Sequence, residues 1–189
     1  MNPPKPRAFE TTAQLDAWLK QHHASEPELW IRMFKKGSGK PSVDWNECVA
    51  TVIAWGWIDG VRRAYDELSF VQRFTPRRSR SSWSKRNCDI AERLIAEGRM
   101  QPAGMAHVLA AKADGRWERA YAGSADMELP SDFLQRLQKN AAAKRFFATL
   151  SRANQFAVYH RLHSAKRPET RERRLVDIIA RLERGEKWH

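Results

Sequence analysis

At 189 residues the chain fits one large domain or two small ones, and 42% apolar with 10% aromatic residues are enough to fill a core, which excludes a disordered chain. Two cysteines exclude a disulfide framework, and no apolar run reaches the roughly 18 residues of a membrane-spanning helix. The formal charge of +12 favours polyanions or anionic small molecules as partners, a well-solvated basic surface being the alternative.

The start, MNPPKPR, is polar and proline-rich with no apolar signal core, so a cytoplasmic protein is expected. Thr11 and Gln14 form a capping box ahead of Leu15, Trp18 and Leu19, which predicts a first helix ending near His22–Ser25, with Pro27 beyond it. ELWIRMFKK alternates with large apolar groups on both faces, the pattern of a central strand. The following KKGSGKPS sets two glycines among three lysines but lacks the phosphate-loop spacing G-x-x-x-x-G-K-[ST], so a mobile turn is the favoured reading over phosphate binding. Asp44 and Glu47 cap a second helix over 45–55, whose apolar stripe includes Cys48 as a core residue.

Trp57–Tyr65 and Leu68–Thr75 read as a hairpin turning at Asp66-Glu67, with Pro76 ending the second strand. A basic loop then leads to a helix capped by Ser81 or Ser82 and closed by Gly98, and Pro102 opens a further helix to about Ala113. Arg116–Pro130 reads as a connector in which Trp117 and Tyr121 share a short helical turn. From Ser131 onward four helices are expected, capped by Ser131, Asn140 and Ser151 and, after Pro168, running from about Glu169 to Arg184. The class is therefore α+β: a small, mostly antiparallel sheet with packed helices over 1–121, a linker over 122–130, and an all-α module over 131–189.

Charge placement selects the candidate site. Residues 1–71 are net neutral, 72–87 carry +6 with no acid, 88–134 carry −3 and 135–189 carry +9. The mid-chain run adjoins Trp57 and Asp59 and contains Arg73, Thr75, Arg77, Arg78, Trp83, Lys85, Arg86 and Asn87. In the functional reading the cations hold an anionic group at a helix N-terminus, Trp57 or Trp83 forms an apolar wall, and Asp59 orients an arginine. In the structural reading Asp59–Arg73 is a buried ion pair of the hairpin and Trp83 anchors the helix start. Lys166, Arg167, Arg171 and Arg174 form a second basic corner suited to nucleic acid, although Glu169–Arg173 favours a solvated helix. His160 and His163 lack a third ligand, Cys88 lacks a base, and no Ser-His-Asp or paired-carboxylate signature is present, so no cofactor or metal is expected. An enzyme with Asp59 as acid or base is the remaining alternative.

The segments ELWIRMFKKGSGKPSVDWNECV, GWIDG, QRFTPRR, SSWSKRN, LIAEGRM, AKADGRWERAY and FFATLSRANQFAVYHRLHSAKRPETRERRL resemble the YdeI/OmpD-associated, or bacteriocin-protection, family over nearly the whole chain. Trp45-Asn46 departs from that pattern, where a smaller, more tyrosine-like pair is expected. The resemblance implies a stress- or envelope-associated protein and brings no reaction with it.

Overall fold

The computed structural model describes residues 5–187; the first four residues of the proline-rich lead-in lie outside that range. The chain divides into two compact units, the first running to Trp83 and resuming over Asn87–Arg119, the second comprising Ser84–Arg86 and the chain from Ala120 on.

In the first unit, β1 (Arg7–Ala8), α1 (Thr12–His22), β2 (Leu29–Phe34), α2 (Trp45–Ala54), β3 (Trp57–Asp66) and β4 (Ser69–Pro76) follow in order. The sheet runs β1-β2-β4-β3, with β1 parallel to β2 and the other pairs antiparallel. β1 is too short for a periodic signal and escapes sequence reasoning. Six consecutive residue pairs join β2 to β4, from Leu29 opposite Phe74 to Phe34 opposite Ser69. Because successive side chains alternate, Leu29, Ile31 and Met33 share a face with Phe74, Gln72 and Phe70, while Trp30, Arg32 and Phe34 take the other. Leu29, Ile31, Met33, Gln72 and Phe74 are buried with Leu15 and Leu19 of α1 and Val49, Val52 and Ile53 of α2 in the core of the unit, and Phe70 is half-buried.

Local chemistry fixes the helix starts. Thr11 Oγ1 accepts from Gln14 N (3.3 Å) at the head of α1. Asp44 accepts from Asn46 N (2.8 Å), and Asp44 N donates to Glu47 Oε2 (3.3 Å), the reciprocal capping pair of α2. β3 shifts register against β4 twice, between Asp59 and Arg62 and between Ala64 and Asp66; at the first, Asp59 lies opposite Phe74 but Arg62 opposite Gln72, and Gln72 Nε2 fills the irregularity by donating to Gly60 O (2.8 Å).

α3 (Lys85–Ala96) begins in the second unit and continues in the first, and α4 (Pro102–Ala113) has Pro102 at its first turn. Trp117 and Tyr121 do not share a helical turn: residues 114–119 form successive turns, and Tyr121 bridges to Ser84.

The second unit holds α5 (Ser131–Gln138), α6 (Ala141–Ala148), α7 (Arg152–His163) and α8 (Pro168–Glu183). Asn140 and Ser151 accept from Ala143 N and Asn154 N as caps, whereas Pro130 takes the cap position expected for Ser131. Phe133, Phe147, Val158, Leu162, Leu175, Ile178 and Leu182 make one apolar core. The stretch expected as a linker is packed: Ala122 and Met127 are buried with Tyr159, and Ala122 N donates to Tyr159 Oη (3.0 Å).

Gly104 marks the tightest approach in the first unit. A Cβ there would lie 2.2 Å from Ala54 O and 2.6 Å from Met100 Sδ. In an open helix Gly→Ala adds stability of about 1 kcal/mol. Here Gly104→Ala is expected to destabilise by roughly 1–3 kcal/mol through overpacking, read as a lowered midpoint in chemical denaturation.

Candidate functional site

The mid-chain basic run folds into two kinds of residue. Arg77, Trp83 and Asn87 are buried, whereas Arg78, Arg80, Lys85 and Arg86 are exposed. Arg77 lies flat over Trp83, its guanidinium carbon 3.6 Å from the ring centroid, and donates Nη1 to Ser82 O (3.1 Å). Trp117 packs against the same indole at 4.9 Å. Arg116, also buried, donates Nε to both carboxylate oxygens of Asp114 (2.8 and 2.7 Å) and Nη1 to Ser81 O (2.9 Å). Two buried guanidiniums thus bind the carbonyls of residues 81 and 82 and fix the loop from inside. Burial, followed by the charges of Arg77 and Arg116, holds His107 below the ordinary histidine range.

The remaining residues of the hairpin separate as well. Trp57 is 1% exposed and donates its indole N–H to His23 O (3.0 Å), so it forms no wall of an open site. The expected Asp59–Arg73 pair does not form. Asp59 stands opposite Phe74, and Arg73 opposite Trp30 on the other face of the sheet. Arg73 Nε donates instead to Glu28 Oε2 (2.6 Å), and Glu28 Oε1 accepts from Trp30 Nε1 (3.2 Å). The same face carries Arg63 at 5.6 Å over Trp30 and Arg32 at 4.7 Å over Phe34. Arg73 therefore shares its face with arginines laid over aromatic rings but is itself paired with Glu28. Thr75, opposite Ile58, is half-buried beside it.

The structure brings together a different basic set. A cleft of about 500 Å³ opens where β2 leaves the sheet, and Lys35, Lys36, Lys40 and Arg62 line it. The loop between β2 and α2 reverses through Gly37 (φ +86°) and Gly39 (φ +70°), left-handed conformations that disfavour any residue with a Cβ. A Cβ at either position would meet nothing within 4 Å, so the backbone there borders open space. Two anchors hold the loop: Lys35 N donates to Leu68 O (2.9 Å), and Phe34 N to Ser42 Oγ (3.1 Å). Lys35 Nζ donates to Glu67 O (2.9 Å). Apolar residues line it as well: Phe70, Val43 and Trp45, with Phe34 reaching it from the other face of the sheet. Arg62 lies 3.6 Å over the Phe70 ring, and Lys40 Nζ 5.2 Å over Phe34. The only signal of this cleft in the sequence is KKGSGK. Arg62 and Phe70 join it through the hairpin.

In the second unit, two of the four cations assigned to nucleic acid have structural partners. Arg171 makes a bidentate pair with Asp132 (Nε and Nη2, both 2.8 Å) and donates Nη1 to Leu162 O (3.0 Å). Arg174 Nη1 donates to Arg161 O (2.6 Å) and Ser164 Oγ (2.8 Å). These arginines close the carbonyl end of α7, where cations are favoured. Lys166 and Arg167 are exposed.

Chemistry through the cysteines is disfavoured by their surroundings. Burial, then Asp44 and Glu47, pushes the Cys48 thiol up to about 12, and burial pushes Cys88 to about 11. Among the described residues no group of three His, Cys, Asp or Glu side chains is placed to hold a metal ion. Among them, too, no helix is long and apolar enough to cross a membrane.

Residues 7–107 match the family described as domain of unknown function DUF8412, and residues 126–185 match the family described as Bacteriocin-protection, YdeI or OmpD-Associated. Searches of curated proteins and of solved structures returned no match.

The Arg171 contact makes the second unit sensitive to acid. Hydrogen bonding from Arg171 holds the Asp132 carboxyl below its ordinary value. A carboxyl depressed on folding stabilises above its unfolded pKa of about 3.9, and that contribution is lost as pH falls through the lower folded value. Amides of α5–α8 should exchange faster in Asp132→Asn than in wild type at neutral pH. The difference should shrink below about pH 3.9 and vanish below the folded pKa of Asp132.

Proposed function

We propose that this chain, which belongs to the DUF8412 family through its first unit and carries a Bacteriocin-protection, YdeI or OmpD-Associated domain in its second, is a non-enzymatic, stress- or envelope-associated binder of an anionic ligand. One observation carries the reading: four cations line a single open cleft in the first unit. Lys35, Lys36, Lys40 and Arg62 come from two segments that the β2–β4–β3 pairing brings to one place. Asp44 also lines the cleft, but its carboxylate is engaged in capping α2. The cleft thus presents net positive charge to solvent, and converging cations with open space between them are the physical requirement for capturing an anion.

This reading relocates the binding function from the 77–87 run to the 35–45 loop and its hairpin neighbours. Arg77 has its guanidinium committed to Trp83 and Ser82 O, and Arg73 to Glu28. Arg78 and Arg80 are exposed on the loop between β4 and α3. Nucleic-acid binding through the C-terminal corner is the weaker reading, because Arg171 and Arg174 already serve Asp132 and the end of α7.

Inorganic pyrophosphate at low salt is the probe. A ligand that binds only the folded state at ten times its Kd adds about 1.4 kcal/mol, which raises the melting temperature by roughly 3–6 °C. The rise should be lost in Lys36→Ala/Lys40→Ala and kept in Arg78→Ala/Arg80→Ala. The opposite pattern places binding on the 77–87 loop and removes the cleft from the reading, and no rise in wild type removes the anion-binding function.

A further inference from the structure

We infer that the ligand of the cleft is a phosphate monoester carrying a flat aromatic ring, with a mononucleotide as the simplest case; this rests on the anion-binding reading above. Charge alone would suit any anion, but the lining is not charge alone. The aromatic residues Phe70 and Trp45 line the cleft, and Phe34 lines it from the other face of the sheet. All three are half-buried, so each keeps part of its surface towards solvent. A simple inorganic anion has no use for an aromatic lining, whereas a ring gains from covering it.

The placement of Arg62 sharpens the argument. Its guanidinium carbon is 3.6 Å from the centroid of Phe70, a stacking distance. A guanidinium laid on a ring presents its second face outward as a flat, cationic platform. Bases stack on aromatic rings and on arginine planes alike, with little dependence on base identity. Arg62 is exposed, so that outer face is accessible. The hairpin irregularity between Asp59 and Arg62 sets which face of β3 Arg62 occupies, opposite Gln72 and next to Phe70.

The phosphate end has its own groups. Lys36 and Lys40 flank Gly37 and Gly39, whose left-handed backbone borders open space, and Ser38 lines the same cleft, whereas the Ser42 hydroxyl is engaged with Phe34 N and Val43 O. Ammonium groups and a hydroxyl beside an unshielded glycine backbone suit tetrahedral oxygens. The volume of about 500 Å³ lies within the roughly 300–1,000 Å³ of small-molecule sites.

The test is calorimetric titration of the full chain at low salt with adenosine monophosphate, uridine monophosphate, ribose 5-phosphate and inorganic phosphate. Both nucleotides should bind at least tenfold more tightly than ribose 5-phosphate. Arg62→Ala should remove most of that preference, weakening both nucleotides by a clearly larger factor than ribose 5-phosphate, and Lys36→Ala/Lys40→Ala should weaken all four. Each of these side chains is exposed, so the variants should melt with wild type, and Arg62→Lys, which keeps charge but not the plane, should behave as Arg62→Ala. Equal affinity for nucleotide and ribose 5-phosphate overturns the ring and leaves the anion reading standing. Absence of binding by all four overturns both.

Discussion

The pairing of β2 with β4 is the constraint on which the first unit depends. Six residues of each strand are locked in register, and a slip of one would turn Leu29, Ile31 and Met33 away from the core. The same register decides the other face, where Trp30, Arg32 and Phe34 meet Arg73, Val71 and Ser69. It also fixes the point at which the chain leaves the sheet. Lys35 N makes the last link, to Leu68 O, and the lysine loop starts there. Capping of α2 by Asp44 and Glu47 sets the far end of that loop. Between two fixed ends, the left-handed Gly37 and Gly39 let a short segment reverse without closing over the space beside it.

Arginine and lysine have divided the labour of a basic chain. Arg77, Arg116, Arg171 and Arg174 each donate to backbone carbonyls, and Arg116 and Arg171 also make forked pairs with carboxylates. A planar, multi-donor group is suited to that work, because one side chain can satisfy several acceptors at once. Arg32, Arg62, Arg63 and Arg77 additionally lie over aromatic rings. Lys36 and Lys40 remain exposed, as compact hydrated charges do. Net charge along the sequence counts both kinds equally, so it points to the densest run of arginines, and there the fold has turned a cation inward.

What was legible in the sequence is what short-range physics decides. The Thr11 and Asp44 caps, the apolar stripe of α2 with Cys48 in it, the hairpin and the four C-terminal helices all follow from patterns within a few residues. Pairing between Asp59 and Arg73 was not legible. Simple alternation cannot see that these residues take opposite faces of adjacent strands, nor that Glu28, 45 positions away, supplies the partner of Arg73. Trp57 and Trp83 illustrate the same limit. An indole beside cations reads equally well as a ligand platform or as the core under one, and only the accepting His23 O and the stacked Arg77 distinguish them. The cleft was half visible: its glycines and lysines are contiguous, but Arg62 and Phe70 reach it only through the hairpin.

On the proposed function, the position of the cleft bears on how a ligand would be held there. Its lysines are exposed, so water and salt screen their attraction for an anion, and surface ion pairs contribute little to affinity on their own. Charge then governs encounter and selection of sign, while the free energy that holds a ligand has to come from surface it covers. Within the cleft the aromatic surface is Phe70 beneath Arg62 and, on the other face of the sheet, Phe34 near Lys40. A small inorganic anion engages only the screened part, whereas a ligand with a ring engages both. The combination of exposed lysines and an aromatic lining therefore favours a ligand with two chemically distinct ends, held at the ring and oriented by its charge.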